Sequence, residues 1–508
     1  MRSLFSSVVV ALFVAGCNLQ NDTDSQTQST FSVSVAIENA CGSVTPNPNA
    51  YFIVHNDDFS TKEFVYANRD GFIEYTSPNA SETISLVREA KVLTQPKVEI
   101  TTYTDIQPKD LGVIIQTSAT VENCICSDYD MSVIFPEEVN FDDNSVAESV
   151  EWRAKDKGQL KADGSAKYLT YNEVQFQNFE YCVNNVNEPQ MFSASTNVDI
   201  SSWRTKRNEK YLGYVLSPRP PESISASIST TEKSLSFTDY EHNPTSVGDL
   251  CAPFDTKFQY STLINEMWLD AAQHSFSNNK VYNNESVSLF ELPEAQKYKA
   301  SLFTLINLNR PSETNYNTFA SAKTTTFYDS AKHNIYQSLN QHSGLDINTL
   351  FAEANESYDL TEHNFDTLVV SFSKFDSELP DYLNVATLEW KIIAPAAGTA
   401  LNLSNMQLDL ASDIHQQVPS LTFSPLHLKI SAVDFSWVND YQESIDYLEV
   451  LAPEVASSKV LDLGDHSYIN ELTVWTQLFD VNFDTSDAIT FKQLWREGYE
   501  FEDGFVCY

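Results

Sequence analysis

Glycine is scarce in this chain, thirteen in 508 residues, and none is placed for phosphate chemistry. There is no G-x-G-x-x-G, no G-x-x-x-x-G-K-[ST] and no G-x-S-x-G. Nucleotide-dependent and serine-hydrolase chemistry therefore lose their usual backbone supports. Histidine is sparse too, with nine residues scattered along the chain and no H-E-x-x-H. The nearest metallopeptidase-like fragment is His55-Asn56-Asp57-Asp58, which ends in Asp where such a site uses Glu, and it reads as turn chemistry. His333 and His342 are nine apart on one predicted helix, too far for joint ligation at i, i+4 geometry. Basic residues are the third shortage: 31 Lys and Arg face 70 Asp and Glu, a net charge of −39. Such a surface repels nucleic acid and anionic phosphate layers, so no nucleic-acid partner is expected. No motif calls for a cofactor, and none is expected.

Carboxylates are so abundant that pairs of them carry no glycosidase information. The denser clusters are Asp142-Asp143 with Glu148, and Asp480 with Asp484 and Asp487. The latter trio is a calcium candidate in a sandwich loop, set against a solvated acidic loop, because neither cluster matches D-x-[DN]-x-[DN]-G. Residues 151–210 depart from the acidic trend, with nine basic residues against eight acidic ones. Arg204, Lys206, Arg207 and Lys210 form the dense part of that group, a solvated loop or an anion or lipid-headgroup contact. Seven tryptophans stand at 152, 203, 268, 390, 437, 475 and 495. Trp390, Trp437 and Trp475 fall in strand patterns, where burial competes with sugar stacking.

The first 17 residues carry a different message. Arg2 begins a positive n-region, Val8–Val14 forms an apolar core, and V-A-G-C ends in Cys17. The apolar run is short of the ~20 residues a membrane-spanning helix requires. This segment resembles the lipobox of bacterial lipoproteins. The resemblance implies cleavage before Cys17, acylation there, and a membrane partner through the lipid. It also associates Asp after the cysteine with inner-membrane retention, and Asn18 stands there instead, so the outer membrane is expected. Residues 18–30 contain one apolar side chain and read as a flexible tether.

Six cysteines remain: Cys41, Cys124, Cys126, Cys182, Cys251 and Cys507. An even number in an exported chain predicts three disulfides. Cys124 and Cys126 lie on one face of a predicted strand, so each is expected to take a different partner, with Cys182 a candidate for one. Cys507 and Cys251 are candidates for the third bridge. A lone C-x-C without a second ligand pair does not make a zinc site.

Strand patterning starts at Phe31, where Phe31, Val33, Val35 and Ile37 recur with period two. Short strands follow at Ala50–His55, Glu63–Ala67, Gly71–Tyr75 and Thr83–Val87, parted by Asn, Asp, Gly and Pro. The stretches A-Y-F-I-V-H-N-D-D, A-N-R-D-G-F-I-E-Y and E-T-I-S-L-V resemble the transthyretin-like, or carboxypeptidase-regulatory-like, module. In that likeness Asp70-Gly71-Phe72 occupies the hairpin and Thr83-Ile84-Ser85-Leu86-Val87 the closing strand, while Ala67-Asn68 replaces the usual Thr. It spans about 70 residues and implies a sandwich that spaces or presents other domains, with no catalytic residues.

Further strands are predicted at Lys97–Thr104, Leu111–Gln116, Cys124–Phe135 and Lys167–Tyr181, with 136–166 a surface excursion and the proline-rich 217–223 a linker. Leu263, Ile264, Met267, Trp268 and Ala271 fit a helix face capped by Ser261. Phe327, Ala331, Ile335 and Leu339 predict a second helix, and Asp346 with Leu350, Phe351 and Ala354 a third. Strands return at Leu368–Phe372, Ala386–Ile393, Leu426–Phe435, Asp446–Leu451 and Leu472–Leu478.

The reading is a mainly β chain of tandem antiparallel β-sandwich domains with a small helical insert near 326–356. Its divisions are a signal peptide (1–16), a lipidated tether (17–30), a transthyretin-like sandwich (31–116), a second β domain (117–217), a mixed β/α region (224–360) and a C-terminal sandwich (361–508). The expected role is a lipid-anchored envelope protein presenting sandwiches to a protein or glycan ligand, without evident catalysis. The alternative is a lipid-anchored hydrolase with its active site in 251–360.

Overall fold

The computed structural model describes residues 29–92, 95–118, 121, 124–137, 150–154, 166–170, 172–184, 189–197, 209–238, 255–265, 267–276, 285–307, 316–329, 335–338, 357–361, 364–375, 386–399, 426–451 and 458–478. Twenty-eight strands run through them. The first eight are β1 (Ser29–Glu38), β2 (Val44–Pro46), β3 (Tyr51–His55), β4 (Thr61–Tyr66), β5 (Phe72–Ser77), β6 (Glu82–Val92), β7 (Gln95–Ile106) and β8 (Asp110–Thr117). Next come β9 (Ile125–Ile134), β10 (Val150–Ala154), β11 (Ala166–Thr170), β12 (Glu173–Val183), β13 (Gln190–Asn197), β14 (Glu209–Ser217), β15 (Ser223–Ser225) and β16 (Ile228–Thr238). The third group is β17 (Asp255–Ile264), β18 (Met267–Phe276), β19 (Glu285–Phe290), β20 (Lys297–Asn307), β21 (Tyr316–Tyr328) and β22 (Ile335–Ser338). The last are β23 (Ser357–Asp359), β24 (Thr367–Phe375), β25 (Ala386–Pro395), β26 (Ala397–Thr399), β27 (Leu426–Phe435) and β28 (Tyr468–Leu478).

The largest sheet has twelve strands in the order β18-β17-β20-β21-β28-β27-β24-β25-β7-β6-β3-β4. Its neighbours are antiparallel except at one join, where β25 runs parallel to β7 and Leu388–Ile393 lies against Val98–Tyr103. A four-stranded sheet combines β1 with β2, β5 and the parallel β8. Three further sheets hold β10-β13-β14-β16-β19 with β22, β11-β12-β9-β15, and the pair β23-β26. The period-two apolar pattern explains the packing. Phe31, Val33 and Val35 of β1 face Ile84 and Leu86 of β6 across one core, which also takes Val369, Ile393, Val433 and Phe435 from the C-terminal strands. At ~25 cal/mol per Å² of apolar surface, such side chains supply the main stabilisation of the two-layer stack.

A short helix, α1 (Tyr441–Ser444), clamps the N-terminal strands to the C-terminal ones. Its N-cap Asp440 accepts from the Glu443 amide. The Tyr441 hydroxyl lies 2.8 Å from the Thr104 carbonyl and 3.1 Å from that of Ile393, at the parallel join. Gln442 accepts from the Gln107 amide and donates to the Asp105 carbonyl, while Lys109 pairs with Asp446 at 2.7 Å.

Four expectations are corrected. The apolar set at 263–271 belongs to a hairpin, not a helix: the chain reverses at Asn265, with φ 47°, and Leu263 pairs with Trp268 as Ile264 pairs with Met267. In the proposed helical insert near 326–356, the described residues are strand apart from the bend at Asp329. Phe327 lies in β21, and Ile335 lies in β22 against Leu235 of β16. The remainder of that insert, with His333 and His342, lies outside the described residues. Ile445–Leu451 forms a 3₁₀ segment where a strand was expected, because it continues directly from α1. Finally, the excursion at 136–166 contains β10, whose Trp152 is buried against Phe176 and Phe179.

Candidate functional site

The four described cysteines sit where the N-terminal layers meet the sheet that follows them. Cys41, just after β1, is bonded to Cys124 across 83 residues, with a Cα separation of 5.8 Å. Cys126 of β9 is bonded to Cys182 of β12, its direct cross-strand partner. Cys124 and Cys126 thus take different partners. Cys17, Cys251, Cys507, Asp480, Asp484 and Asp487 lie outside the described residues, as do Asp142, Asp143 and Glu148. Among the described residues no group of three or more His, Cys, Asp or Glu side chains is arranged to hold a metal. No helix among them is long and apolar enough to cross a membrane.

A serine–histidine contact is present but closed to substrate. His55 Nε2 is 2.7 Å from Ser85 Oγ, and both residues are buried. Nδ1 lies 3.1 Å from the Phe59 carbonyl, which can only accept, so the ring proton belongs on Nδ1. Ser85 then donates to Nε2, Thr102 donates to Ser85 at 2.7 Å, and Trp390 Nε1 donates to Thr102 at 2.9 Å. Each side-chain polar atom of this His55–Ser85–Thr102–Trp390 relay is satisfied with a neutral imidazole. Burial accordingly pushes the His55 pKa down, with the Phe59 carbonyl acting against it. His55-Asn56-Asp57-Asp58 is therefore turn and core chemistry, with Asn56 accepting the Phe59 amide through its carbonyl. Trp390 and Trp437 are spent on packing, the latter between Phe327, Phe435 and Tyr447.

A charged field on one face of the twelve-stranded sheet, in which Thr101, Ser431 and Thr473 are buried and Lys429 is exposed, is the candidate binding region. Residues two apart along a strand, and residues paired across strands, share a face. By register, Arg88, Glu99, Thr101, Glu389, Lys391, Ser371, Lys429, Ser431, Thr473, Glu471 and Lys323 all lie on the same side. The same face turns apolar toward Tyr103, Ile393, Val433 and Phe435, which enter the core against the four-stranded sheet. Within the charged field Arg88 pairs with Glu99 at 3.4 Å and donates to Thr101 at 3.2 Å. Glu471 collects Lys429 at 3.2 Å and Lys323 at 4.0 Å, and it accepts from Thr473 at 2.9 Å. Burial alone raises the Glu471 pKa, but the two lysines and Thr473 outweigh it and hold the carboxyl below its ordinary value.

Lys391 differs from these neighbours. It is enclosed yet keeps partial exposure, and among the described residues no acceptor or carboxylate bonds its ammonium group. Burial pushes its pKa down, Lys429 and Arg88 push it further, and Glu471 and Glu389 offset only part of this. Sequence reasoning missed this lysine. Its signal was a polar face, Glu389 and Lys391, alternating with Leu388, Trp390 and Ile392 in a strand otherwise fit for burial.

On the opposite edge of the field's apolar end, Asp366 accepts from the Phe435 amide at 2.9 Å. Burial pushes its carboxyl up to about 6, the Phe435 bond opposes that, and Asp434, Asp440 and Glu443 add to it.

No family model matches the chain and no curated protein matches it. Among solved structures, the Bacillus anthracis TIE protein aligns over 61% of this chain at 11% identity, with a TM-score of 0.13. This chain covers 50% of that structure, half its length. A Streptococcal ancillary pilin aligns over 56% of this chain and 92% of its own at 9% identity and a TM-score of 0.11. Likeness at these TM-scores carries no argument about fold or role.

Proposed function

We propose that this chain is an exported, lipid-anchored protein of the bacterial envelope whose stacked β layers serve a binding or structural role. The observation that carries the reading is the pair of disulfides, Cys41–Cys124 and Cys126–Cys182. Such bonds persist in oxidising compartments and are rare in the cytosol. The V-A-G-C sequence supports acylation at Cys17, Asn18 favours the outer membrane, and the polar 18–30 stretch serves as a tether. In this reading the transthyretin-like strands β3, β4, β6 and β7 share the large sheet with the C-terminal strands, and the charged face they form together meets the ligand.

The test is metabolic labelling with a palmitate analogue, followed by protease treatment of intact and permeabilised cells. Wild-type protein is expected to take the label and Cys17→Ser to lose it, with the labelled protein in the outer-membrane fraction. An unlabelled wild-type chain free of membranes would remove the anchor from this proposal. Cleavage in intact cells places the β layers outside and calls for glycan and protein ligands. Protection until permeabilisation places them in the periplasm.

A further inference from the structure

We propose that Lys391 and Ser371, flanked by Thr101 and Lys429, form a subsite for a small oxyanion, a phosphate or carboxylate group. Lys391 of β25 is paired in register with Thr101 of β7 on one side and with Ser371 of β24 on the other. Ser371 is in turn paired with Lys429 of β27. Four adjacent strands thus present hydroxyl, ammonium, hydroxyl and ammonium along a line of about 14 Å, at ~4.8 Å per strand.

The hydrogen-bond inventory decides what this row can hold. Thr101 Oγ1 accepts from Arg88 Nη2, so its own hydroxyl proton remains to be donated. Lys429 is held by Glu471 at 3.2 Å but keeps half its side chain in solvent. Lys391 has no counter-ion among the described residues, although Glu389 and Glu471 lie within electrostatic reach. Ammonium and hydroxyl groups supply donors, and an anion with several acceptor oxygens satisfies them by charge-assisted hydrogen bonds. A cation as ligand would leave the donors unmet.

Charge supports the same choice. On this face Arg88, Lys323, Lys391 and Lys429 outnumber Glu99, Glu389 and Glu471, within a chain whose net charge is −39. An enclosed unpaired ammonium in so acidic a protein is a cost to the empty fold, and a bound oxyanion relieves it. The inference does not depend on the lipid anchor, so it stands or falls separately from the envelope reading.

The experiment uses the full chain in detergent, with inorganic phosphate and acetate as probes and chloride as the control at constant ionic strength. Phosphate or acetate is expected to raise the melting temperature by about 2 °C at saturating concentration. Lys391→Met and Ser371→Ala are each expected to remove that rise, and Lys391→Met to match or exceed wild-type stability without anion. Binding of phosphate alone identifies a phosphate site, and of acetate alone a carboxylate site. In labelled-lysine NMR, the Lys391 pKa is expected to rise on anion addition. No anion-specific shift in wild type, or an equal shift in both variants, overturns the proposal. If Lys391→Met does not fold, Ser371→Ala and the NMR titration decide it alone.

Discussion

Single residues fix the turn between the two N-terminal layers. Gly71 sits at φ +74°, and a Cβ built there would lie 2.3 Å from the Val35 carbonyl oxygen. Asn68 closes the same turn by accepting from the amides of Asp70 and Phe72. Gly71→Ala is expected to cost about 1–3 kcal/mol, read as a shift in the urea midpoint. Two titratable groups set opposite pH dependences. The folded Asp366 pKa, about 6, lies above its ordinary value of 3.8. Its stabilising contribution is therefore full below 3.8 and lost as pH rises through about 6. Asp366→Asn is expected to match wild type near pH 4 and to exceed it at pH 8. For His55 the folded pKa is lowered, so its contribution is full above 6.5 and lost as pH falls toward the folded value. An imidazole NMR titration checks this: a midpoint at or above 6.5 would contradict the closed hydrogen-bond chain.

At the scale of elements, strand existence was legible and strand partnership was not. Apolar patterning located β1, β3, β7, β8 and β27 to within a residue or two. β1 shows the period-two alternation of a strand with one face in the core, whereas β3 is a continuous apolar run buried on both faces. The same arithmetic failed at 263–271, where apolar pairs on both sides of a tight turn mimic a helix stripe. Asn265, the turn residue, carried the contrary signal. The Asp70-Gly71 turn was visible as well, but it joins β4 of the large sheet to β5 of the small one, so its flanking strands are not paired. Lys391 was unreadable as a site because its row is assembled from β7, β24, β25 and β27, whose adjacency no local pattern encodes. The disulfides act at this scale too. Loss of the Cys41–Cys124 bond, by Cys41→Ser or by reduction, is expected to cost about 2–5 kcal/mol in the denaturant midpoint.

For the whole molecule, charge and topology dominate. A net charge of −39 makes the compact state repel itself, and salt screens that repulsion. The melting temperature is expected to rise from 10 mM to 500 mM sodium chloride, measured by calorimetry. A flat or falling profile would mean that ion pairs such as Lys429–Glu471 outweigh the long-range repulsion.

The parallel join of β7 to β25 has a consequence for how the chain reaches its fold. Its partners, such as Ile100 and Trp390, are 290 residues apart in sequence. Contacts of such high order are slow to form, because a long loop must close before any pairing rewards it. A chain emerging from its N-terminus makes β3, β4, β6 and β7 early and then carries the open edge of β7 until β25 arrives. That edge is the vulnerable surface of the nascent protein, open to pairing with a neighbouring chain. Its protection is a matter of timing: whatever delays the last third of the chain leaves the first third ready to aggregate.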